Sequence, residues 1–444
     1  MTEFTPSAFP HAPLRQDDLA YIVECLRQGA CCAIVGPSNL GKSALLRSLP
    51  REEVRRACVL DGAPPPIIVF VNCLEAGASE QTFYELVSRR VMDELRDAGA
   101  NIETLDVMRA YHDEILRANS ELVARSLFAS NLRAFARDHA VSVVIAMDRF
   151  QDVFQTLPAF PFRELRAARE EWGLELCFVT ATSQRLDAIR HDEATHEFRE
   201  LFYGTTRVIR PLSREDTHRL AHYFYQKQNL ALDETSETRA IELSGGHPGL
   251  LKHLLRVLNT RASSQDIPRL LEDEGIADEC DQLLQELETP ERDALIAFVN
   301  TGQVNTHQQH ILDAKGLLEK NGNGFVVFTP LLDAYIKQRS QDSHNVPANG
   351  LRVDSASGQI FVNEREVTLG LSEPQRILLR LLFQKRGETV TYQDIAEAVW
   401  KTNEGVTPGA IYELVKRARQ KIEDDWKKPK WIVTVAGEGY RLTD

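Results

Sequence analysis

The residues with the clearest capacity for chemistry lie in a glycine-rich segment near the start of the sequence. The segment GPSNLGKS, from Gly36 to Ser43, matches the pattern G-x-x-x-x-G-K-[ST] between an apolar run and a helical one. In loops of this type, backbone N–H groups at a helix N-terminus surround phosphate oxygens. We expect Lys42 to reach the β- and γ-phosphates of a nucleotide and the Ser43 hydroxyl to bind Mg²⁺. The predicted nucleotide contacts are Gly36, Pro37, Ser38, Asn39, Leu40, Gly41, Lys42, Ser43 and Ala44.

A second candidate is the acid that follows the apolar run VSVVIAM. We expect this run to form a strand beside the one that precedes the phosphate loop, so that Asp148 holds the magnesium ion and acts with Lys42 in catalysis. Many ATPases place a glutamate at the next position as the base that activates water, whereas this chain has Arg149. Hydrolysis is therefore expected to be slow. Asp152 and Glu75 are alternative acids for that role, although both residues also fit as surface acids.

Two further segments place polar groups where a nucleotide could be sensed. The run LELCFVTAT ends before Ser183 and Arg185, which either contact a γ-phosphate or cap a loop. The segment SGGHPG opens a helix after a tight turn and brings in His247 and Pro248. A His-Pro pair on a lid would allow that lid to respond to the bound nucleotide.

The elements that must position these residues alternate between strands and helices. The runs CCAIV, IIVFVN, VSVVIAM and LELCFVTAT are continuously apolar, which is typical of strands buried on both faces. Between the second and third runs, Phe83, Val87, Val91 and Leu95 recur every four residues and predict an amphipathic helix. This alternation indicates an α/β fold with a parallel sheet covered by helices on both faces.

From about residue 212 onward, the pattern becomes helical. The segments SREDTHRLAHYFYQKQ, TRAIELSGG and PGLLKHLLRVLNT predict a helical lid. Two more helices and a hairpin turning at Asn321 to Gly324 resemble a small winged-helix fold. The polar segment RSQDSHNVPANG then predicts a linker.

Bulk composition limits the classes of function. The net charge of −13 disfavours a protein that coats nucleic acid with its whole surface, so any DNA contact must be local. The seven cysteines are scattered without C-x-x-C spacing and are predicted to be buried thiols. We find neither an apolar run of membrane-spanning length nor a secretory signal, and we expect a cytoplasmic protein that does not contact membranes.

Residues from about 10 to 335 resemble the STAND and archaeal-type AAA-like ATPases. The resemblance rests on the GPxxxGKSxLL loop, the strand-end Asp148 and the GGHPG turn. It implies ATP and ADP as ligands with Mg²⁺, Pro248 packed near the adenine, and His247 or the lid in contact with the phosphates. It also implies a switch that is closed with ADP and opens or forms homo-oligomers with ATP. Because Arg149 departs from the family pattern, we expect nucleotide binding with slow hydrolysis.

The last ninety-odd residues form a separate pattern. Three short strands are predicted from Leu351 onward, followed by helices with capping residues at Ser372, Thr391 and Thr407. On the third helix, one side is apolar and the other carries basic and amide side chains. That basic side is either a recognition surface or an ordinary solvated face. A closing hairpin, WIVTV to YRLT, places Arg441 on a wing strand.

The segment from Leu351 to Thr443 resembles the OmpR/PhoB-type winged helix. The most specific features are VKRARQKI, Trp400 at the end of the second helix, and IVTVAGEGYRL. The resemblance implies that the third helix enters the major groove of double-stranded DNA and that the wing contacts the minor groove or phosphates. The implied DNA contacts are Lys416, Arg417, Arg419, Gln420, Lys421 and Arg441. No receiver-domain pattern precedes the module, so ATP state, a protein or a small molecule is expected to replace phosphorylation as the signal.

Together these features predict a P-loop NTPase parallel sheet with a helical lid, followed by winged-helix (α+β) modules. The predicted boundaries are an ATPase core over 1–211, a lid over 212–265, a winged-helix-like domain over 266–338, a linker over 339–350 and a DNA-binding winged helix over 351–444. The favoured function is transcription regulation gated by ATP. The alternatives are a DNA-stimulated ATPase of the replication-initiator or transposition-loader type, and a defence or signalling sensor whose winged helix binds protein.

Overall fold

The computed structural model describes most of the chain in two compact units, Met1–Tyr335 and Ile336–Asp444. The described residues are 14–59, 64–136, 142–228, 233–260, 266–322, 324–344, 351–353, 360–362, 365–367, 371–400, 406–423, 425–435 and 437–443. The end of the predicted linker, 345–350, lies outside them. The finer boundaries predicted from the sequence stay predictions. Within the described residues, every helix is too short or too polar to cross a membrane.

The first unit is built on a five-stranded sheet in which all neighbouring strands are parallel. Its strands are β1 (Cys32–Val35), β2 (Ile67–Asn72), β3 (Val143–Asp148), β4 (Leu176–Thr182) and β5 (Thr206–Val208). The order across the sheet is β2-β3-β4-β1-β5. The predicted parallel α/β sheet is confirmed.

Two details of the sheet differ from the sequence-based expectation. The strand that carries Asp148 does not lie beside β1, because β4 pairs with both β1 and β3 and separates them. Strand β5 was not predicted, since its three residues are only partly buried and lack an apolar run. The sequence pattern reports burial along one strand but contains no direct signal for which strand pairs with which.

Side chains alternate between the two faces of the sheet, as the period of two in a strand requires. Along β1, Ala33 and Val35 belong to one apolar cluster, while Cys32 and Ile34 belong to the other. The covering helices are α1 (Gln16–Arg27), α2 (Lys42–Ser48), α3 (Glu52–Ala57), α4 (Glu80–Asp97), α5 (Ile102–Arg117), α6 (Glu121–Ala136), α7 (Phe150–Thr156), α8 (Phe160–Trp172), α9 (Leu186–Ile189) and α10 (His196–Glu200). The predicted helix with apolar residues from Phe83 to Leu95 is α4.

Helices dominate the rest of the first unit, as predicted from residue 212 onward. They are α11 (Arg214–Gln228), α12 (Glu234–Ser244), α13 (Pro248–Thr260), α14 (Ile267–Leu270), α15 (Glu274–Glu286), α16 (Thr289–Thr301), α17 (Thr306–Ala314) and the first six residues of α18 (Pro330–His344), a helix that continues into the second unit. The predicted hairpin is present as the antiparallel strands β6 (Leu318–Asn321) and β7 (Gly324–Val327).

The second unit combines two small sheets with three helices. The first sheet contains β8 (Leu351–Val353), β9 (Ile360–Val362) and β10 (Arg365–Glu366), and the second has the order β11-β13-β12, from β11 (Thr389–Thr391), β12 (Ile432–Val435) and β13 (Gly439–Leu442). The helices are α19 (Glu373–Gln384), α20 (Tyr392–Trp400) and α21 (Pro408–Ile422). This is a winged-helix arrangement, in which the β12–β13 hairpin forms the wing.

The predicted caps of these three helices are confirmed by hydrogen bonds. Ser372 forms a capping box with Gln375, and the hydroxyl of Thr391 accepts from the backbone N–H of Asp394 at 3.1 Å. Thr407 caps α21, with Pro408 in the first turn. The seven cysteines are all buried and unpaired, which confirms the predicted thiols.

Candidate functional site

The phosphate loop joins β1 to α2. Gly41, the residue before the helix, has a φ of 93°, a left-handed conformation that glycine adopts without strain. Asn39 also has a positive φ, of 59°. The loop is therefore a tight turn ending at a helix N-terminus, where backbone N–H groups favour an anion.

The side chain of Lys42 is enclosed by the phosphate loop of which it is part. Its Nζ donates hydrogen bonds to the carbonyl oxygens of Gly36 at 2.5 Å and Pro37 at 2.8 Å, and the residue is 9% exposed. Burial lowers the pKa of Lys42 to about 8, although the nearby acids Glu286 and Asp148 oppose that shift. The loop thus holds a partly dehydrated cation that gains from an added negative charge.

Asp148 and Arg149 stand at the carboxyl end of β3. Asp148 is 2% exposed, and Arg149 has a left-handed φ of 54° and directly precedes α7. The Arg149 Nε donates to Asp152 Oδ2 at 3.1 Å, so the acid proposed as an alternative base is paired with a cation. Strands β1 and β3 belong to one parallel sheet, so their carboxyl ends lie at the same edge. The phosphate loop follows β1 and Asp148 ends β3, and both therefore lie at that edge.

These residues line one cavity of about 380 Å³. From the predicted site, Ser38, Asn39, Gly41, Lys42, Ser43, Ala44, Asp148 and Pro248 are among its walls. Four further cationic or basic side chains also line it, namely Arg47, Arg149, Lys252 and His253. The cavity therefore joins the loop, the end of β3 and helix α13 of the predicted lid.

The GGHPG turn reaches this cavity through Pro248 and Gly249. His247 is fully buried, its Nδ1 accepts from the backbone N–H of Leu250 at 3.2 Å, and its Nε2 has no hydrogen-bond partner among the described residues. Burial, with the charge of Arg15 as a smaller cause, lowers the pKa of His247 to about 3. His247 is therefore neutral at pH 7. Pro248 lines the cavity, whereas His247 does not.

A second, mostly apolar cavity of about 500 Å³ adjoins the first. The two share Gly41, Ala44, Phe224 and Pro248 as walls. The second cavity is also lined by Tyr223 and by leucines from the loop, α2 and the lid, which are Leu40, Leu45, Leu212 and Leu220. One side of the loop is thus cationic and the other is apolar.

Arg15 is a neighbour of the phosphate loop that was not predicted from the sequence. Its Nε donates to the Leu40 carbonyl of the phosphate loop at 2.9 Å, and its backbone N–H donates to Asp216 of α11 at 2.9 Å. It therefore ties the loop to the lid. A single arginine before a helix carries no pattern that would have revealed this role.

Helix α15 supplies a second group that was missed. The Asn39 amide donates to the Glu279 carboxylate at 3.0 Å, and the Ser38 hydroxyl donates to Glu286 Oε1 at 2.6 Å. These acids were not predicted from the sequence, because helical periodicity does not reveal which neighbour the face of a helix contacts.

At the end of β4, the predicted sensor residue Arg185 lies outside the cavity, and its neighbour Gln184 contacts α15. Arg185 is half exposed, pairs with Asp187 at 3.3 Å and does not line the cavity. Its neighbour Gln184 instead donates from Nε2 to the main-chain carbonyl of Glu286 at 2.9 Å. The strand end therefore contacts α15 through Gln184.

In the second unit, helix α21 presents a polar surface. Arg417, Gln420 and Lys421 are exposed, and Lys416 is half-buried, with its Nζ 3.0 Å from Glu413. Arg441 is exposed on β13. These five residues are available for contact with a partner.

Arg419 does not share that surface. It is 8% exposed, and its guanidinium donates to the Ile432 carbonyl at 2.6 Å and to the Thr434 hydroxyl at 2.9 Å. Its role is to hold the wing strand β12 against α21. The winged-helix resemblance implied Arg419 as a DNA contact, and this expectation is wrong because its guanidinium is bonded to the wing strand.

Comparison with solved structures gives weak likenesses for the first unit. The Walker-type ATPase PABY2304 of Pyrococcus abyssi is 14% identical, with a TM-score of 0.43 over 74% of this chain and 99% of that one. The Aeropyrum pernix ORC1 protein in complex with DNA is 12% identical, with a TM-score of 0.40 over 75% and 94%. Both TM-scores lie below 0.5. The assignment of the fold therefore depends on the strand order and the phosphate loop of this chain.

Comparison with curated sequences finds transcriptional regulatory proteins that match part of the chain. The transcriptional regulatory protein HprR of Escherichia coli is 28% identical over 166 residues, 36% of this chain and 70% of that protein. The transcriptional regulatory protein PcoR of Escherichia coli is 40% identical over 106 residues, 24% of this chain and 46% of that protein. The chain spans about half the length of most of the curated relatives that it matches.

The match to a protein family covers the winged helix. The family described as "Transcriptional regulatory protein, C terminal" matches residues 365–442, from β10 to the end of the wing strand β13. This agrees with the resemblance inferred from VKRARQKI and IVTVAGEGYRL. The chain therefore carries a C-terminal domain of the OmpR/PhoB type of transcriptional regulators, in one polypeptide with an α/β domain of the P-loop type.

Proposed function

We propose that this protein is a DNA-binding transcription regulator whose first unit binds ATP or ADP and thereby changes DNA binding by the second. The observation that carries the proposal is the meeting of a cationic and an apolar cavity at the phosphate loop, in a chain that also has a regulator-type winged helix. A nucleotide needs both environments, because its phosphates are anionic and its base is flat and largely apolar.

The donor chemistry fits the two parts of a nucleotide. Lys42, Arg47, Arg149 and Lys252 are cationic walls suited to phosphate oxygens. Tyr223 and Phe224 line the apolar cavity and suit an adenine ring. Arg185 and His247 are not walls of the cationic cavity, so the lid contact is assigned to Pro248 and Lys252 instead.

Ser43 and Asp148 are the residues that would hold Mg²⁺. A hydroxyl and a carboxylate in one cavity are hard oxygen donors of the kind that this ion prefers. The described residues contain no group of three or more His, Cys, Asp or Glu side chains that could bind a metal alone. The ion would therefore arrive with the nucleotide, complete its coordination with phosphate oxygens and water, and neutralise phosphate charge.

Slow turnover is favoured by the surroundings of Asp148. The adjacent position holds Arg149, which is ion-paired with Asp152, so neither supplies a free carboxylate base beside the phosphates. Binding without rapid hydrolysis suits a switch that changes self-association with ATP, and the expected active form is a homo-oligomer. Rapid hydrolysis stimulated by duplex DNA would instead favour the loader alternative.

The DNA partner is proposed from the second unit. The family match and the names of HprR and PcoR, both called transcriptional regulatory proteins, support double-stranded DNA as the ligand of α21 and the wing. Lys416, Arg417, Gln420, Lys421 and Arg441 are the proposed contacts, since basic and amide side chains bind phosphates and base edges. Arg419 is assigned to the stability of the wing.

The test compares wild type with Lys42→Ala in two assays. Calorimetry with Mg-ATP and Mg-ADP measures nucleotide binding, and Lys42→Ala is expected to weaken it by about tenfold or more, the effect of losing one charged hydrogen-bonding group. DNA affinity, measured on a duplex selected from a random pool, is expected to change with ATP for wild type only. Lys320→Ala on the exposed hairpin strand β6 is the control and should behave as wild type. Absence of ATP binding by wild type would contradict the proposal.

A further inference from the structure

One face of helix α15 lies on the phosphate loop. Glu279, Gln282 and Glu286 follow the spacing of three and four residues that aligns side chains along a helix. Asn39 donates from Nδ2 to Glu279 Oε1 at 3.0 Å and to Gln282 Oε1 at 3.4 Å. The contact is made by the same loop whose residue types predict phosphate binding.

The carboxylate of Glu286 is bound by donors of the loop itself. The backbone N–H of Ser38 donates to Glu286 Oε2, and the Ser38 hydroxyl donates to Oε1 at 2.6 Å. Gln282 adds a third donor, from Nε2 to Oε1 at 3.0 Å, and Gln184 holds the Glu286 carbonyl at 2.9 Å. A backbone N–H, a hydroxyl and an adjacent cation are the groups by which a loop of this type binds an anion.

Glu286 also interacts with the buried lysine of the loop. Among the groups that act on Lys42, its carboxylate is the strongest in favouring the charged ammonium, ahead of Asp148. Within the described residues, Glu286 thus gives the phosphate loop an internal counter-charge. An anion of external origin would have to take over that role.

We propose that Glu286 is an internal competitor for nucleotide phosphate, whose carboxylate is held by Ser38 of the phosphate loop and is displaced when ATP binds. This inference rests on the proposed function, namely that the loop binds a nucleotide. The carboxylate and a phosphate group are both anions, so their repulsion at short range opposes simultaneous binding to one loop. We call the hydrogen-bonded contact between Glu286 and Ser38 the latch. The apparent affinity for ATP is then the intrinsic affinity multiplied by the fraction of molecules in which the latch is open.

Displacement of Glu286 has a route to the following helices. Glu286 is the last residue of α15, and α16 begins three residues later with a capping box formed by Glu288 and Glu291. On the same helix, Asp281 accepts a hydrogen bond from the Tyr335 hydroxyl at 3.0 Å. Movement of α15 would therefore displace the start of α16, which follows it directly, and disturb the hydrogen bond to Tyr335 of α18. By this route the displacement of Glu286 can affect the neighbouring helices.

The experiment is a titration of the full-length protein with a fluorescent ATP analogue in the presence of Mg²⁺. Glu286→Gln keeps the size of the side chain and removes its charge, and it is expected to bind about tenfold more tightly than wild type, which corresponds to about 1.4 kcal/mol. Asp278→Asn is the control, because Asp278 is an exposed acid on the same helix with no hydrogen bond to the loop among the described residues. It should bind as wild type does.

Hydrogen exchange of wild type supplies a second measurement that needs no variant. Addition of Mg-ATP is expected to increase exchange at the C-terminal end of α15, residues 279–286, because the latch opens. Equal ATP affinity in Glu286→Gln and wild type, or unchanged exchange in α15 when ATP is bound, would overturn the latch while leaving nucleotide binding intact. Absence of ATP binding in both proteins would overturn the latch and the proposed function together.

Discussion

Lys42 carries its charge in a position that is almost closed to solvent. Its neighbours are carbonyl oxygens of its own loop, and the cations Arg15 and Arg149 lower its pKa further while Glu286 and Asp148 raise it. The balance places the pKa of Lys42 at about 8, well below the ordinary value of 10.5. The ammonium ion is thus easier to deprotonate here than in water.

This shift predicts a pH dependence of ATP binding. Below pH 8, Lys42 is cationic in the free protein and attracts phosphate, whereas above pH 8 a growing fraction is neutral. Bound phosphate raises the pKa of Lys42, so the complex holds a proton that the free protein loses. ATP affinity should therefore fall by up to about tenfold per pH unit above pH 8.

The measurement is a series of calorimetric titrations between pH 6.5 and 9.5 at constant ionic strength. Lys42→Met is the matched control, because it removes the titrating group and should show weak affinity without this decline. An affinity for wild type that stays flat across pH 8 to 9.5 would show that Lys42 does not titrate against phosphate.

At the scale of elements, the turn between α12 and α13 packs closely against the backbone at Leu212. Gly246 has a φ of 79°, and a Cβ atom at this position would lie 2.3 Å from the carbonyl oxygen of Leu212. Its own carbonyl accepts the backbone N–H of Leu212 at 2.9 Å. The turn is thus pressed against the chain just before α11, with Pro248 beside the phosphate loop.

Gly246→Ala is predicted to be much more destabilising than its backbone angle alone requires. A left-handed alanine costs about 1 to 2 kcal/mol, and the clash with Leu212 adds on the order of 2 kcal/mol. Gly204→Ala is the matched control, since Gly204 has a φ of 78° with nothing within 4 Å of the added Cβ. Urea denaturation measures both, and similar losses for the two variants would show that the close approach is unimportant.

At the scale of the whole molecule, charge is unevenly distributed along the chain. The total is −13, yet α21 and the wing expose Arg417, Lys421 and Arg441, with Lys416 partly exposed. Cationic contacts release counterions from DNA, and this term depends on the local contacts rather than on the total charge. An acidic protein can therefore bind DNA through this one surface.

We predict a local, salt-sensitive DNA interface. With four phosphate-contacting cations per protomer, the logarithm of the binding constant should fall with the logarithm of salt concentration with a slope of about −3 to −4. Arg417→Ala should reduce the magnitude of that slope by about 0.9. Gln420→Ala, its uncharged neighbour on the same exposed surface, is the control and should leave the slope unchanged. A salt-independent affinity would contradict the interface.

Much of this architecture was predictable from the sequence, because each signal was local. The phosphate loop is a contiguous motif whose glycines and lysine act within eight residues. The buried strands appear as apolar runs, and the caps at Ser372, Thr391 and Thr407 operate within one turn of a helix. Local hydrogen bonding and side-chain period determine such elements without knowledge of their neighbours.

Only the tertiary structure decided which elements meet. It inserted β4 between β1 and β3, turned Arg419 into a support for the wing, and brought Glu286 to Ser38 across 248 positions of sequence. Such contacts depend on the packing of buried faces, which is a property of the folded chain as a whole. The sequence alone identified a loop able to hold phosphate, whereas the folded structure brought the carboxylate of Glu286 within hydrogen-bonding distance of Ser38 in that loop.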